Sequence, residues 1–454
     1  MVRSIIFMFS DSSKSEEPTF IAITSPDTES NISAFVQRIK QIAPMTKKAT
    51  IRQLSYSRNG PQFSVQQFIS TVAQLSQHVI DIEYELYHRP VIIDQQLNGL
   101  RNLAYCSFES TEGGEQIMQL ARRNASTLQF LKIDVYAIVD ITGLIQNDDG
   151  GYVQYPYLHT FKFSGKPGSD VPRQLGFPGA VPFPSLRQLD IGYLTPFGDD
   201  AVFRGNAATL ESLILMPNPG TLRILREGKV FTPVSHPKLQ YVSLGLHLDS
   251  EPNIFETDVD YMRFVLNIGV NAPVRTITDS LIGADFQSVI PVFGEYTCIQ
   301  VLTLESLRLN LWGVIALVKA LPLLSDLHTS YYVIGPRPDG VAEHELSAYV
   351  IANYAPAGKR FRSWNFTVRS EDVKNSVRCV LLLALVCPNF NYAAVTPTDR
   401  DLFMAYMSEM ISTEEFRPHE SRLRRLLFGG AKNEIRSVDT LLEAKEAGFG
   451  SWGW

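Results

Sequence analysis

Cysteine and histidine side chains are the groups in this sequence that could ligate a metal or act as nucleophiles. The four cysteines, Cys106, Cys298, Cys379 and Cys387, stand far apart, form no C-x-x-C pair and have no histidine cluster beside them. A zinc site needs such ligands at short spacing, so we predict no metal site. Cys379 and Cys387 lie in an apolar run and are interpreted as buried thiols, which fits a cytoplasmic or nuclear compartment.

Sequence motifs of catalysis and cofactor binding are also missing. The chain has no P-loop, no G-x-S-x-G and no H-E-x-x-H. Gly113-Gly114 could approach a phosphate, but a turn before a helix explains the pair better. An alternative function, an enzyme or small-ligand binder, would use the Gly-, Pro- and aromatic-rich insert 152–184. Because this insert offers only His159 and Asp170 as a catalytic pair, we predict no catalytic residue, no cofactor and no enzyme activity.

One short phrase, Leu210–Asn218, indicates how the chain is built. It reads L-x-x-L-x-L-x-x-N, with apolar Leu210, Leu213 and Leu215 before Asn218. On an extended strand Leu213 and Leu215 share one face, while the residues between them point the other way. This is the strand half of a leucine-rich repeat, and a single such strand needs stacked neighbours to bury its apolar face.

The phrase recurs along the chain, and the segments between its copies have helical spacing. Clear copies start at Ile51, Leu100, Leu128, Leu158, Leu186, Leu210, Leu239, Ile299 and Leu423, and weaker ones at Ile80, Val274, Leu324, Phe361 and Phe390. Helices are expected at 64–75, 114–125, 285–293, 311–321, 344–355, 374–386 and 400–411, where apolar residues stand three and four apart. We therefore predict an α/β leucine-rich-repeat solenoid, a curved horseshoe with a parallel concave sheet and convex helices.

Composition narrows the organisation and the partners. Of 454 residues, 45% are hydrophobic and 19% charged, with a net charge of −6. A basic nucleic-acid binder is not indicated, and the longest apolar runs are too short for a membrane helix. We expect a monomer with a lead-in or cap at 1–50, a repeat array at 51–430, and a helix and mobile tail at 431–454.

The strand phrases Leu186-Arg-Gln-Leu-Asp-Ile191 and Leu423-Arg-Arg-Leu-Leu-Phe428 resemble the irregular leucine-rich repeats of fungal F-box/LRR-type proteins. The resemblance covers about residues 50–430 and is one of pattern. It implies a substrate-recognition role in an SCF-type ubiquitin ligase. The compact helical F-box of that family is not recognisable in residues 1–50, so we predict that the chain alone does not bind the ubiquitin-ligase adaptor.

The partner surface is expected on the concave sheet, where residues between the core leucines alternate outward. Outward positions include Phe130, Lys132, Asp134, Lys162, Gln188, Asp190, Ile214, Met216, Tyr241, Ser243, Glu305, Asp326, His328, Ser363, Asn365, Asn389 and Asn391. Exposed apolar side chains among them suggest a protein partner. The predicted partner-binding residues are Phe130, Lys132, Asp134, Lys162, Ile214, Met216, Tyr241, Glu305, His328 and Asn365. The function expected is a non-enzymatic protein-interaction scaffold.

Overall fold

The computed structural model describes seventeen stretches of the chain, which form two compact units. The described residues are 4–11, 19–24, 46–53, 80–86, 97–107, 114–135, 142–145, 151–165, 182–194, 208–217, 236–246, 257–279, 286–332, 339–367, 373–390, 392–394 and 400–428. Unit 1 is Met1–Leu239 and unit 2 is Gln240–Trp454. Among the described helices, none has the length and apolar character that crossing a membrane requires.

Unit 1 is dominated by a parallel sheet. Its described strands are β1 Ser4–Asp11, β2 Thr19–Thr24, β3 Thr46–Gln53, β4 Asp81–Leu86, β5 Asn102–Ser107, β6 Phe130–Val135, β7 Thr160–Gly165, β8 Gln188–Leu194 and β9 Ser212–Pro217. Strands β3 to β9 pair in sequence order and in parallel, and β1 pairs antiparallel with both β3 and β2. Helices α1 Gly114–Arg123 and α2 Thr142–Ile145 lie between strands in the sequence.

Unit 2 repeats the alternation with longer helices. Its described strands are β10 Tyr241–Leu246, β11 Val274–Asp279, β12 Val301–Leu309, β13 Asp326–Tyr332, β14 Ser363–Thr367 and β15 Tyr392–Ala394, each parallel to the next. Its described helices are α3 Asp258–Asn267, α4 Phe286–Phe293, α5 Leu311–Ala320, α6 Leu346–Tyr354, α7 Val373–Val386, α8 Arg400–Ile411 and α9 Glu420–Phe428. Both units therefore have the α/β architecture of a leucine-rich-repeat solenoid.

The core of unit 1 consists of two rows of side chains that run across the strands. One row is Leu103, Leu131, Phe161, Leu189 and Leu213, and the other is Tyr84, Tyr105, Ile133, Phe163, Ile191 and Leu215. Each of these side chains is at most 2% exposed. Successive strand residues point to opposite faces of a sheet, so the residues between the rows lie on the other face. The predicted register of the strands from Leu100 to Leu215 is confirmed.

The turns before the strands are held by short polar side chains. The hydroxyl of Thr127 donates to the Leu100 carbonyl at 2.8 Å, and that of Thr209 donates to the Leu186 carbonyl at 2.7 Å. Buried Asn124 accepts from the Leu100 N–H at 3.0 Å. Buried carbonyls need partners, and these hydroxyls supply them.

Two of the clear strand predictions are wrong. The phrase starting at Leu423 lies in helix α9, where an ion pair at 2.8 Å joins Glu420 and Arg424 one turn apart. Two leucines three apart also suit one face of a helix, so that part of the phrase cannot separate the two structures. At the other end, Ile51 aligns with Tyr84 and Tyr105, which places it at the last core position of its repeat and not at the first.

The predicted helices at 114–125, 285–293, 311–321, 344–355, 374–386 and 400–411 are confirmed, within a few residues, by α1 and α4–α8. Within the lead-in, β1 and β2 form an antiparallel pair. The predicted helix at 64–75 and the tail at 431–454 lie outside the described residues. Strand β3 runs across residue 50, and the domain boundaries at 50 and 430 stay predictions.

Candidate partner-binding face

The face of the unit 1 sheet opposite the core rows, called here the open face, brings together several predicted residues. Phe130, Lys132 and Asp134 alternate along β6 with the buried residues Leu131, Ile133 and Val135. Lys132 pairs in register with Lys162 on β7, followed by Asp190 on β8 and Ile214 on β9. Each of these open-face side chains is half-buried, because neighbours about 4.8 Å apart on adjacent strands cover one another.

The next row of the open face starts from Asp134. It continues through Ser164 and Gly192 to Met216, whose backbone position is described but whose side chain is not. On the other side of Asp134 the row reaches Cys106 on β5. Cys106 is only 5% exposed, although it lies on the open face, so longer side chains around it must cover it.

Five side chains form what we call the charged cluster: Glu83, Lys132, Asp134, Lys162 and Asp190. Burial raises the pKa of Asp190 to about 6, against the opposing attraction of Lys162 and Lys132, and repulsion from Asp134 adds to the rise. Burial also raises the pKa of Asp134, although Lys132 and a hydrogen bond from the Ser164 hydroxyl favour the charged form. The lysines therefore compensate these two carboxylates only in part.

Lys132 is the centre of this cluster. Burial alone would lower its pKa, but the nearby groups Cys106, Asp134 and Glu83 together raise the Lys132 pKa above its ordinary value. Burial raises the pKa of the Cys106 thiol to about 11, so the thiol is neutral near pH 7 and the two carboxylates carry the charge that stabilises Lys132. A thiol in this state is a poor nucleophile, and Cys106 contributes shape and a hydrogen bond to Lys132.

Four members of this site were not among the predicted partner-binding residues: Glu83, Cys106, Ser164 and Asp190, of which only Asp190 was among the outward positions. Glu83 lies on β4, whose repeat phrase is weak. Cys106 lies on β5, and Ser164 follows Phe163 on β7. Acidic residues occupy every second position along Asp81-Ile-Glu-Tyr-Glu85. This alternation could have predicted that Glu83 lies on the open face. The predicted residues do include Lys132, Asp134 and Lys162, and the structure places them as neighbours.

Three more predicted residues, Tyr241, His328 and Asn365, alternate with buried residues on strands of the unit 2 sheet. His328 and Asn365 are in register on β13 and β14, and the Asn365 amide nitrogen lies 3.0 Å from His328 Nδ1. Tyr241 is on β10, three strands from His328, and its hydroxyl lies 3.4 Å from Thr276 Oγ1. Glu305 follows Leu304 where the pairing of β12 with β13 shifts, and its side chain is outside the described residues. The structure thus joins His328 with Asn365 but does not bring Tyr241 beside them.

The described part of the insert 152–184 is packed around aromatic rings. Tyr155 is fully buried and its hydroxyl donates to the Leu144 carbonyl at 2.8 Å. The Phe183 ring lies 5.4 Å from that of Tyr155 and 5.2 Å from that of Phe161. His159 is exposed, and Asp170 lies outside the described residues. Within the described stretches, no three histidine, cysteine or acidic side chains gather as metal ligands.

This architecture places the chain among α/β solenoids of the leucine-rich-repeat type. No family model and no curated protein matches the sequence. Among solved structures, the leucine-rich repeat-containing protein LegL7 from Legionella pneumophila is similar over 85% of this chain and 98% of that chain, with 10% identity and a TM-score of 0.38. A likeness at that level adds nothing to the assignment, which rests on the parallel strands and the buried rows. The F-box/LRR resemblance stays a resemblance of sequence pattern.

Proposed function

We propose that this chain is a non-enzymatic protein-interaction scaffold that binds a protein partner on the open face of unit 1. The observation that carries the proposal is the charged cluster, which has apolar Phe130 and Ile214 at its edges on the same face. Partly apolar surfaces that also carry defined charges are typical of specific protein interfaces. The roles of the other predicted partner residues, Tyr241, His328 and Asn365 among them, stay predictions.

The size of the face indicates how a partner would cover it. Five strand spacings from β4 to β9 span about 24 Å, and the three open-face rows span about 13 Å along the strands. A standard interface covers about 800 Å² per partner, more than this rectangle of about 300 Å². A partner of standard size would therefore extend beyond this rectangle. One candidate area is the segment before the strands, where Arg101, Gln129, His159 and Arg187 are exposed and are linked by successive backbone hydrogen bonds.

Partner capture from a cell extract, with the chain as bait, tests the proposal. We expect Phe130→Asp together with Ile214→Asp to abolish recovery of the bound protein, because two charges would enter the apolar edges of the interface. Gln119→Asp on the exposed surface of α1 is the matched control and should retain the protein. Equal capture by the double variant and the parent would place the interface elsewhere.

A narrower form of the proposal is that the partner is a substrate of an SCF-type ubiquitin ligase. It is supported only by the F-box/LRR resemblance of the strand phrases. Direct binding of the purified 454-residue chain to the ligase adaptor separates the two parts of this idea. We expect no stable complex, since no F-box is recognisable in residues 1–50, and a stable complex would show that the chain recruits the ligase itself.

A further inference from the structure

The charge balance of the open face indicates what kind of partner it accepts. The charged cluster contains three carboxylates, Glu83, Asp134 and Asp190, and two ammonium groups, Lys132 and Lys162. Glu83 has Thr50 and Ala104 as its neighbours in register, and neither carries a charge. Among these five described side chains the carboxylates outnumber the ammonium groups by one, on a face where side chains are half-buried.

We propose that unit 1 binds a partner segment that places an arginine or lysine side chain against Asp134 and Asp190. This inference rests on the proposed function and names the chemistry of its partner. Ile214 is next to Asp190 in its row, and Phe130 precedes Lys132 by two residues on β6. The segment that fits is thus cationic with apolar residues beside the charge.

A cation should bind more favourably than an anion beside Asp134 and Asp190. Asp134 and Asp190 repel each other and are withdrawn from water, so an arriving ammonium or guanidinium group restores the solvation that burial removed. An arriving anion would face three carboxylates and would have to draw Lys132 and Lys162 away from their present neighbours. Arginine can also form two parallel hydrogen bonds with one carboxylate, which adds directional selectivity.

Binding of a cation at this place should depend on pH. The groups that face Asp190 are Lys162 on β7, Lys132 and Asp134 on β6, and uncharged Ile214 on β9. A cation binds the ionised form of Asp190. With a pKa of about 6, about one tenth of Asp190 is ionised at about pH 5, so binding there should be up to about tenfold weaker than at about pH 7.5.

The test uses two short fluorescein-labelled peptides, one alternating leucine with arginine and the other alternating leucine with glutamate. Fluorescence anisotropy with the full chain should show saturable binding of the arginine peptide and none of the glutamate peptide. The double variant Asp134→Asn with Asp190→Asn should weaken the arginine peptide by about tenfold or more, as loss of carboxylate partners in a half-buried site does. Glu409→Gln, an exposed position on α8 in unit 2, is the control for loss of overall negative charge and should bind as the parent does.

Several results would overturn the proposal. These are equal binding of the two peptides, undiminished binding by the double asparagine variant, an equal loss in Glu409→Gln, or binding that is the same at both pH values. Circular dichroism of each variant shows whether the fold is kept. If the arginine peptide fails while Phe130→Asp with Ile214→Asp still abolishes partner capture, the open face is the interface and the basic chemistry is wrong. If both tests fail, the proposed function fails as well.

Discussion

Replacing Asp190 with asparagine should make this protein more stable at neutral pH. Burial raises the pKa of Asp190 from the ordinary 3.8 to about 6. Above about pH 6 the folded protein must therefore hold an ionised carboxylate where the neutral acid is favoured. One pKa unit corresponds to about 1.4 kcal/mol, so a rise of about two units corresponds to about 3 kcal/mol. Asparagine has the same shape without the charge, and we expect a gain of about 1–3 kcal/mol.

The raised pKa of Asp190 also sets the direction of the stability change and the pH range in which it occurs. Below about pH 4 the carboxyl is protonated in both states and the substitution should change little. Between about pH 4 and pH 6 the unfolded chain loses this proton while the folded chain keeps it, so the parent loses stability as the pH rises. Above about pH 6 both states are ionised, and the advantage of the variant should stay constant.

Urea unfolding followed by circular dichroism, at several pH values from about 4 to 8, measures this difference. Asp339→Asn removes an exposed carboxylate from a turn in unit 2 and is the control for a general change in charge. A variant less stable than the parent at neutral pH would show that the attraction between Asp190 and the two lysines outweighs its burial. A difference that is the same at all pH values would exclude titration of Asp190 as the cause.

Three further substitutions test the packing. Leu213→Ala, in a fully buried core row, should cost about 2–5 kcal/mol in urea unfolding, and unfolding like the parent's would refute the register. Asn124→Ala removes hydrogen bonds to the Leu100 N–H and to two carbonyls at 2.9 Å, and should cost about 2–4 kcal/mol; a loss below about 1 kcal/mol would mean that water replaces the side chain. Arg378→Ala removes the guanidinium bonded at 2.8 Å to the carboxylate of Glu415, in a pair that is 16% and 11% exposed. It should cost about 3–5 kcal/mol, and Glu415→Gln in the same chain should restore part of the loss.

The core rows could be predicted because successive side chains on a strand point to opposite faces, which gives a period of two residues. Leu131 and Ile133 alternate with polar Lys132 and Asp134, and Leu213 and Leu215 keep the same two-residue spacing. The prediction failed where the spacing fits both a strand and a helix. At Leu423 the next core leucine is three residues away, which fits a helix equally well. Helix α3 was missed although Thr257 caps it, accepting a hydrogen bond from the Asp260 N–H at 3.1 Å. The Thr-x-x-Asp spacing there is a readable capping signal.

Strand β11 shows why a repeat can be hidden from its sequence. Its core position, in line with Val242 and Leu302, is occupied by Arg275, which is 1% exposed. The guanidinium donates to the carbonyls of Ile268 and Gly269, just beyond the end of α3, and burial lowers the pKa of Arg275 to about 10. An arginine in a leucine position breaks the apolar phrase, and the carbonyls that bind its guanidinium become visible only in three dimensions.

Some residues of the candidate site could be predicted, but the site as a whole could not. Alternation placed Lys132, Asp134 and Lys162 on the outer face. It could not show that they are neighbours of Glu83, because contact across strands depends on how far each repeat is shifted against the next. Steps between repeats vary along this sequence, so the register of β4 with β5 and β6 had to come from the structure.

The stability argument and the binding argument meet at Asp190. A half-buried carboxylate whose charge opposes folding contributes nothing to the repeat, and Asn would suit the same position better. Residues that are unfavourable for folding are found most often where a protein binds a partner or catalyses a reaction. The proposals therefore require opposite effects of one substitution: Asp190→Asn should raise the urea midpoint at neutral pH and lower affinity for the arginine peptide. A variant that gained stability and kept full affinity would leave Asp190 as an unexplained cost of the fold, and would move the cation-binding role to Asp134 and Glu83.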